Sequence, residues 1–280
     1  MRYALFVTNS IKSIAIGSFD GIHIAHRALI ENVDALVIIE RNGGYLTSGY
    51  RRSYCTDKIC CFYHFDTIKS LEPSAFIAML EADFPLLERI VVGYDFAFGK
   101  DKAGNAETLE KLYPKEVCII NEVKLEEISV HSRTIKAFLC EGDIPMTNRL
   151  LGRAYQIEGR VIRGQGLGKK ALVPTLNLEV FEYQLPQAGV YATRTWIDGV
   201  WMDSISFLGH RVTTDNAYAI ESHILGYIRE ESITKTKIYF VDKIRDNHKF
   251  ESLNALEKQI KIDILIAKEC LDKETKKGSV

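Results

Sequence analysis

The hydrophobic rhythm of the chain changes at Leu150-Leu151-Gly152. Before that point short apolar runs alternate with helical patterns. After it the helical pattern fades and β-rich segments follow one another. A switch of this kind predicts two domains, and 280 residues accommodate two of ordinary size. We place them at residues 1–148 and 149–280, with the boundary near 146–154. In the first half, Ser13–Gly17, Ala35–Ile39, Ile90–Val92 and Lys115–Ile120 read as strands. Ala35–Ile39 is apolar throughout, as a strand buried on both faces must be. Ala25, Ala28 and Leu29 suggest a helix after the first strand. Pro73–Glu81, with Phe76, Ile77 and Leu80 on one side, and Arg133–Leu139 read as two more. Repeated β-then-α order predicts a doubly wound parallel sheet, which binds ligands beyond the carboxyl ends of its strands. Gly17 and Gly93 stand at two such ends.

The second half predicts an antiparallel β-barrel. Val190–Trp196, Ile205–Leu208, Tyr218–Tyr227 and Thr236–Val241 are short β-rich runs, and Asp198-Gly199 is a hairpin signal between two of them. From Ser252 to Leu271, Leu253, Leu256, Ile260, Ile264, Ala267 and Leu271 recur at helical spacing, so a terminal amphipathic helix needs a surface to pack on. The tail KKGSV reads as frayed.

Composition narrows the class of function. Thirty-six basic and thirty-seven acidic residues leave a formal charge of -1, so no global basic field favours nucleic acid. No apolar run approaches the ~20 residues of a membrane span, and no signal-peptide core is visible. Six cysteines without a CxxC pair predict reduced thiols and a cytoplasmic setting. The pattern specifies no oligomeric state.

Two constellations carry chemistry. The first is the strand followed by GSFDGIHIAH. Gly17 permits a tight turn and Gly21 a close backbone approach to a ligand. His23 and His26, three residues apart at the start of a helix, share a side and make a cradle for phosphate. By themselves two such histidines also suit a helix cap or a surface pair. Metal ligation lacks a nearby cysteine or third histidine. The second is GRVIRGQGLGKKALVPTLNLEV, residues 159–180. Its glycines, among them Gly164 and Gly168, suit a loop cradling nucleotide phosphates. Thr175 and Asn177 point to one face of an extended segment, where two oxygens suit Mg²⁺ between phosphates. A glycine-rich hairpin with a polar edge is the plainer alternative.

GSFDGIHIAH resembles the GxFDGxHxGH segment of the bacterial bifunctional riboflavin kinase/FMN adenylyltransferases, the FAD synthetases. VVGYDFAFGKDKAG, residues 91–104, and SLEPSAFIAML, residues 70–80, resemble further segments of that family. So do the PTxN-like stretch, LPQAGVYA at 185–192, IESHIL at 220–225 and KIRDNHKFESLNALEKQIKID at 243–263. The resemblance covers almost the whole chain, in the expected order. It implies an N-terminal nucleotidylyltransferase sheet and a C-terminal riboflavin kinase barrel. It also implies that ATP and Mg²⁺ serve two steps, riboflavin to FMN and FMN to FAD. On this reading Glu221 is the general base of the kinase, and Thr175 and Asn177 hold the metal. Gly164, Gly168, Lys169 and Pro174 contact its nucleotide. His23 and His26 act in adenylylation, with Gly17, Phe19, Asp20, Gly21, Ser132, Arg133 and Lys136 at the nucleotide and Asp95 and Phe96 at the flavin.

The chain departs from the family pattern at several places. Ala25 stands for glycine within HxGH. HSRTIK, residues 131–136, stands for an SSTxIR-like segment, with Arg133 for a small hydroxyl residue and Lys136 for arginine. Lys169 replaces arginine, Ala171-Leu172-Val173 replaces a Leu-Gly-Phe-like stretch, and Arg211-Val212-Thr213 lacks a proline. These departures motivate an alternative: a monofunctional riboflavin kinase with a degenerate N-terminal module. A nucleotidylyl transferase with another acceptor, such as tRNA, and a non-catalytic flavin binder are more distant alternatives.

Overall fold

The computed structural model describes residues 10–41, 43–163, 173–212, 216–226 and 233–276. By packing, the chain divides into two compact units, Met1–Ser132 and Arg133–Val280.

The first unit is built on five parallel strands: β1 (Ser13–Gly17), β2 (Ala35–Glu40), β3 (Ile59–His64), β4 (Arg89–Gly93) and β7 (Glu116–Ile120), in the order β3-β2-β1-β4-β7. Two short hairpins complete its strands: β5 (Ala97–Phe98) with β6 (Gly104–Asn105), and β8 (Lys124–Leu125) with β9 (Ile128–Ser129). The helices are α1 (Ile24–Ile30), α2 (Phe65–Ile68), α3 (Pro73–Asp83) and α4 (Ala106–Leu112). Alternation along the strands builds two cores. Ile14, Ile16, Ile90 and Val92 face Phe76, Ile77 and Leu80 of α3, and Leu109 of α4. Ala15, Leu36, Ile38 and Val91 face Phe19, Ile22 and Ile30 on the opposite side. Burial on both faces is why β2 reads as an unbroken apolar run. Strand order reverses between β1 and β4, so their carboxyl ends flank the crevice where open sheets of this kind take ligands.

The second unit begins with α5 (Ser132–Glu141) and α6 (Ile144–Leu151), followed by a closed barrel. Its strands are β10 (Tyr155–Ile162), β11 (Leu176–Glu179), β12 (Gly189–Ile197), β13 (Val200–His210), β14 (Tyr218–Ile224) and β15 (Lys235–Asp246). They pair antiparallel in the order β10-β11-β14-β13-β12-β15, and β15 closes on β10. The β12–β13 turn is Asp198-Gly199, with φ of 46° and 92°, the left-handed pair a two-residue hairpin needs. Asn148 of α6 pins that helix to the barrel, donating to the Phe240 carbonyl at 2.9 Å and accepting from the Tyr155 N–H at 2.7 Å. A last helix, α7 (Leu253–Lys276), seats Ala267 and Leu271 on Val190, Ala192 and Ile205.

Several expectations change in detail. β13 runs eleven residues, well beyond Ile205–Leu208, because its interior positions Ser204 and Ser206 are hydroxyls and not apolar. Thr193 Oγ1 lies 2.8 Å from both serine hydroxyls, and Thr195 Oγ1 lies 2.9 Å from Ser204 and 2.7 Å from Ser222. All five side chains are fully buried, so this ladder replaces part of an apolar core and hides the strand's alternation. β14 ends at Ile224. In α7, Leu253 is exposed while Asp263 is buried. Asp263 is held by Arg245, with Nη2 to Oδ2 at 2.8 Å and Nε 3.0–3.1 Å from both oxygens. Gln259 donates to it as well, so a buried carboxylate takes a place that spacing alone assigns to apolar groups.

Candidate active sites

At the carboxyl end of β1 the backbone turns through a strained loop. Phe19, Gly21 and Ile22 all have positive φ, of 47°, 89° and 39°. A β-branched residue there is costly, which surrounding packing must hold in place. Phe19 does so from beneath: its ring is fully buried, and a Cβ on Gly17 would meet it at 3.4 Å. Gly17 itself is not left-handed, so its smallness makes room for Phe19 and the turn falls later than the sequence suggests. The buried Phe19 side chain supports the loop.

His23 is the N-cap of α1, not its first-turn residue, and it is buried. The His23 and His26 rings stack at 3.5 Å between centroids, 17° from parallel. The His23 N–H donates to His26 Nδ1 at 3.3 Å, which leaves Nε2 to carry the proton of a neutral His26 and to donate onward. Since α1 has only seven residues, the imidazoles rather than a long helix dipole give this site its character. Ala25 is buried inside α1.

Asp20 ties the loop to its neighbours. Its Oδ1 accepts from the Leu46 and Thr47 N–H groups at 2.8 and 3.1 Å, and its carbonyl accepts from the Ser132 hydroxyl at 2.8 Å. Both residues therefore position the GSFDG loop. Lys136 follows Ser132 by four residues, on the same face of α5, whereas Arg133 is exposed.

At the end of β4, Asp95 is exposed and Phe96 is half-buried, stacked on Phe98 at 5.4 Å. Tyr94 and His131 escaped the sequence reading. The Tyr94 hydroxyl lies 3.2 Å from His131 Nε2 and donates to Glu122 at 3.4 Å, and His131 Nδ1 is 3.9 Å from Asp95. A hydrogen bond from Ser129, with Lys124 nearby, holds the Glu122 carboxyl below its ordinary range. Arg52 was also missed: fully buried, it reaches Glu40 at 2.9 Å and covers the Tyr45 ring at 4.7 Å. Burial pushes the Cys60 thiol up to about 11.

The second site lies on the barrel. Asn177 on β11 sits directly opposite Glu221 on β14. Glu221 and His223 share one face, while Ile220, Ser222 and Ile224 are buried on the other, as alternation predicts. His223 Nδ1 lies 2.7 Å from the Pro174 carbonyl, which anchors the segment leading to Thr175. Glu221 Oε1 accepts from Arg211 Nη1 at 3.1 Å. An open cavity of about 250 Å³ adjoins these groups, lined by Asn177, Arg211, Arg163, Tyr218 and neighbouring apolar residues. Gly164, Gly168 and Lys169, with Ala171 and Leu172, lie outside the described residues, as does Thr213.

A parallel sheet with paired histidines at its switch point, joined to a barrel with a carboxylate–amide pair beside a cavity, defines a two-domain transferase of phosphorylated substrates. Comparison with known proteins makes this specific. Residues 151–271 match the riboflavin kinase family model, and residues 51–134 match the FAD synthetase family model. The bifunctional riboflavin kinase/FMN adenylyltransferase of Pseudomonas fluorescens is 27% identical, covering 90% of this chain and 91% of its own. That of Buchnera aphidicola subsp. Acyrthosiphon pisum is 29% identical, covering 92% and 93%. A crystal structure described as a macrolide-efflux protein from Streptococcus pneumoniae superposes with a TM-score of 0.81 at 23% identity, over 93% of this chain and 95% of that one, a likeness of fold. Among the described residues no helix is long and apolar enough to cross a membrane. The chain belongs to the bifunctional riboflavin kinase/FMN adenylyltransferase family, the FAD synthetases.

Proposed function

We propose that this protein makes FMN from riboflavin and then FAD from FMN, spending one ATP at each step, with residues 149–280 housing the first reaction and 1–148 the second. The observation that supports the reading is that His23 and His26 stack at the end of β1 in the first compact unit, while Asn177 stands opposite Glu221 in the second. Both family models match, which favours this over a kinase with a silent first half. Free cysteines suit a cytoplasmic setting.

In the barrel, Glu221 accepts the proton of the terminal hydroxyl of riboflavin as that oxygen bonds to the γ-phosphorus of ATP. The bond to the β,γ-bridging oxygen breaks, and ADP leaves. Among the described residues no group of three or more His, Cys, Asp or Glu side chains is placed to hold a metal. The oxygens of Thr175 and Asn177 suit Mg²⁺, which takes few protein ligands and relies on phosphate oxygens. When bound, Mg²⁺ supplies neutralisation of phosphate charge. Asn177 and Thr175 orient the nucleotide, and Pro174 flanks it.

In the sheet unit, an FMN phosphate oxygen attacks the α-phosphorus of ATP, and pyrophosphate leaves. The attacking phosphate is already anionic, so no strong base is required. His23 and His26 donate to the charge that grows on the α-phosphate. Asp95 and Phe96 border the flavin. A chromatographic time course from riboflavin with excess ATP–Mg²⁺ tests the whole scheme. FMN that rises and then converts to FAD is the expected result; a plateau at FMN removes the second step.

A further inference from the structure

We propose that Arg211 is a positioning residue for the kinase reaction, orienting the Glu221 carboxylate from the cavity side; this rests on the kinase reading above. Arg211 follows β13, and its backbone is fixed in a turn: its N–H donates to the Ala217 carbonyl at 2.9 Å, and its carbonyl accepts from the Asn216 N–H at 3.1 Å. From that turn the guanidinium reaches Glu221 Oε1 at 3.1 Å while also lining the cavity. Both side chains are about one-fifth exposed, 21% for Arg211 and 20% for Glu221. The pair is therefore shielded from bulk water yet open to a ligand.

A glutamate on a strand has three side-chain torsions to settle before its carboxylate can take a hydroxyl proton. A guanidinium that holds one oxygen removes most of that freedom in advance. The groups on the neighbouring elements are few. Asn177 on β11 stands opposite Glu221, Phe207 on β13 lies on its other side, and Arg163 and Tyr218 complete the cavity wall. Arg211 is the cation that the structure bonds to this carboxylate among the described residues.

The test compares Arg211→Gln and Arg211→Lys in the full chain, following FMN formation from riboflavin and ATP–Mg²⁺. Riboflavin fluorescence quenching reports binding, and circular dichroism reports folding. We expect kcat to fall roughly 10- to 100-fold in Arg211→Gln, with flavin binding within about threefold of the unaltered protein. Arg211→Lys keeps the charge and recovers part of kcat, and it stands in if Arg211→Gln does not fold. An unchanged kcat, or a loss confined to KM, overturns the proposal. Absence of FMN from the unaltered protein overturns the kinase reading itself, and this role with it.

Discussion

The two candidate sites are built in opposite ways. The sheet unit gathers the paired histidines and the loop before them from one contiguous stretch: a strand end, a strained loop and the start of a helix, all within residues 17–26. Its chemistry depends on backbone shape, and its side chains meet because they are near neighbours in sequence. The barrel site brings Asn177 to Glu221 across 44 residues of chain, through strand register alone. A local site is legible as a motif and tolerates drift elsewhere. A register site is legible only residue by residue and depends on the whole barrel closing. The first stores strain, with Phe19 and Ile22 left-handed; the second sits on relaxed strands beside a fully bonded hydroxyl ladder.

The contrast is tested most sharply by separating the activities. Glu221→Gln should lower FMN formation by roughly 10²- to 10⁴-fold, as loss of a general base does, while FAD formation from supplied FMN continues. Should both steps fail together, the sites are not independent. His26→Ala should act the other way, cutting FAD formation by roughly 10²- to 10³-fold with FMN formation intact. Product chromatography from each starting flavin reads both variants. Asp263→Ala examines the framework of the barrel unit. It leaves Arg245 without its buried carboxylate and should cost about 3 kcal/mol, visible as a lower denaturation midpoint. A midpoint shift under one degree would show that α7 is held by its apolar contacts alone. Ala25→Gly, which restores the residue usual in the family, should be the mildest. Glycine in a helix interior costs about 1 kcal/mol, and FAD formation should change less than tenfold. A larger gain would mean that the Ala25 Cβ crowds the phosphates.

Much of the fold could be read from the chain because its signals were local. β1 spans the expected Ser13–Gly17, and Phe76, Ile77 and Leu80 form the buried side of α3. The Asp198-Gly199 hairpin follows from the left-handed preference of that pair. What escaped reading depended on partners distant in sequence. β3 was overlooked because Cys60, Cys61, Phe62 and Tyr63 show no clean alternation on an edge strand. Tyr94, His131 and Arg52 carry no motif, and only packing brings them to polar partners. The sequence division at 148/149 follows motif families, whereas the packing division falls at Ser132–Arg133, because α6 is bonded to barrel strands. These two boundaries describe different things, chemistry and contact.

Residue order and periodicity alone were enough for the parallel sheet, the barrel, the terminal helix and the paired histidines, since each arises from patterns spanning a few turns or strands. Only the folded chain decided that His23 caps its helix, that Phe19 turns inward, and that Arg211 meets Glu221. Those outcomes are chosen by steric fit and strand register, which act between segments far apart along the backbone and leave no periodic trace within either.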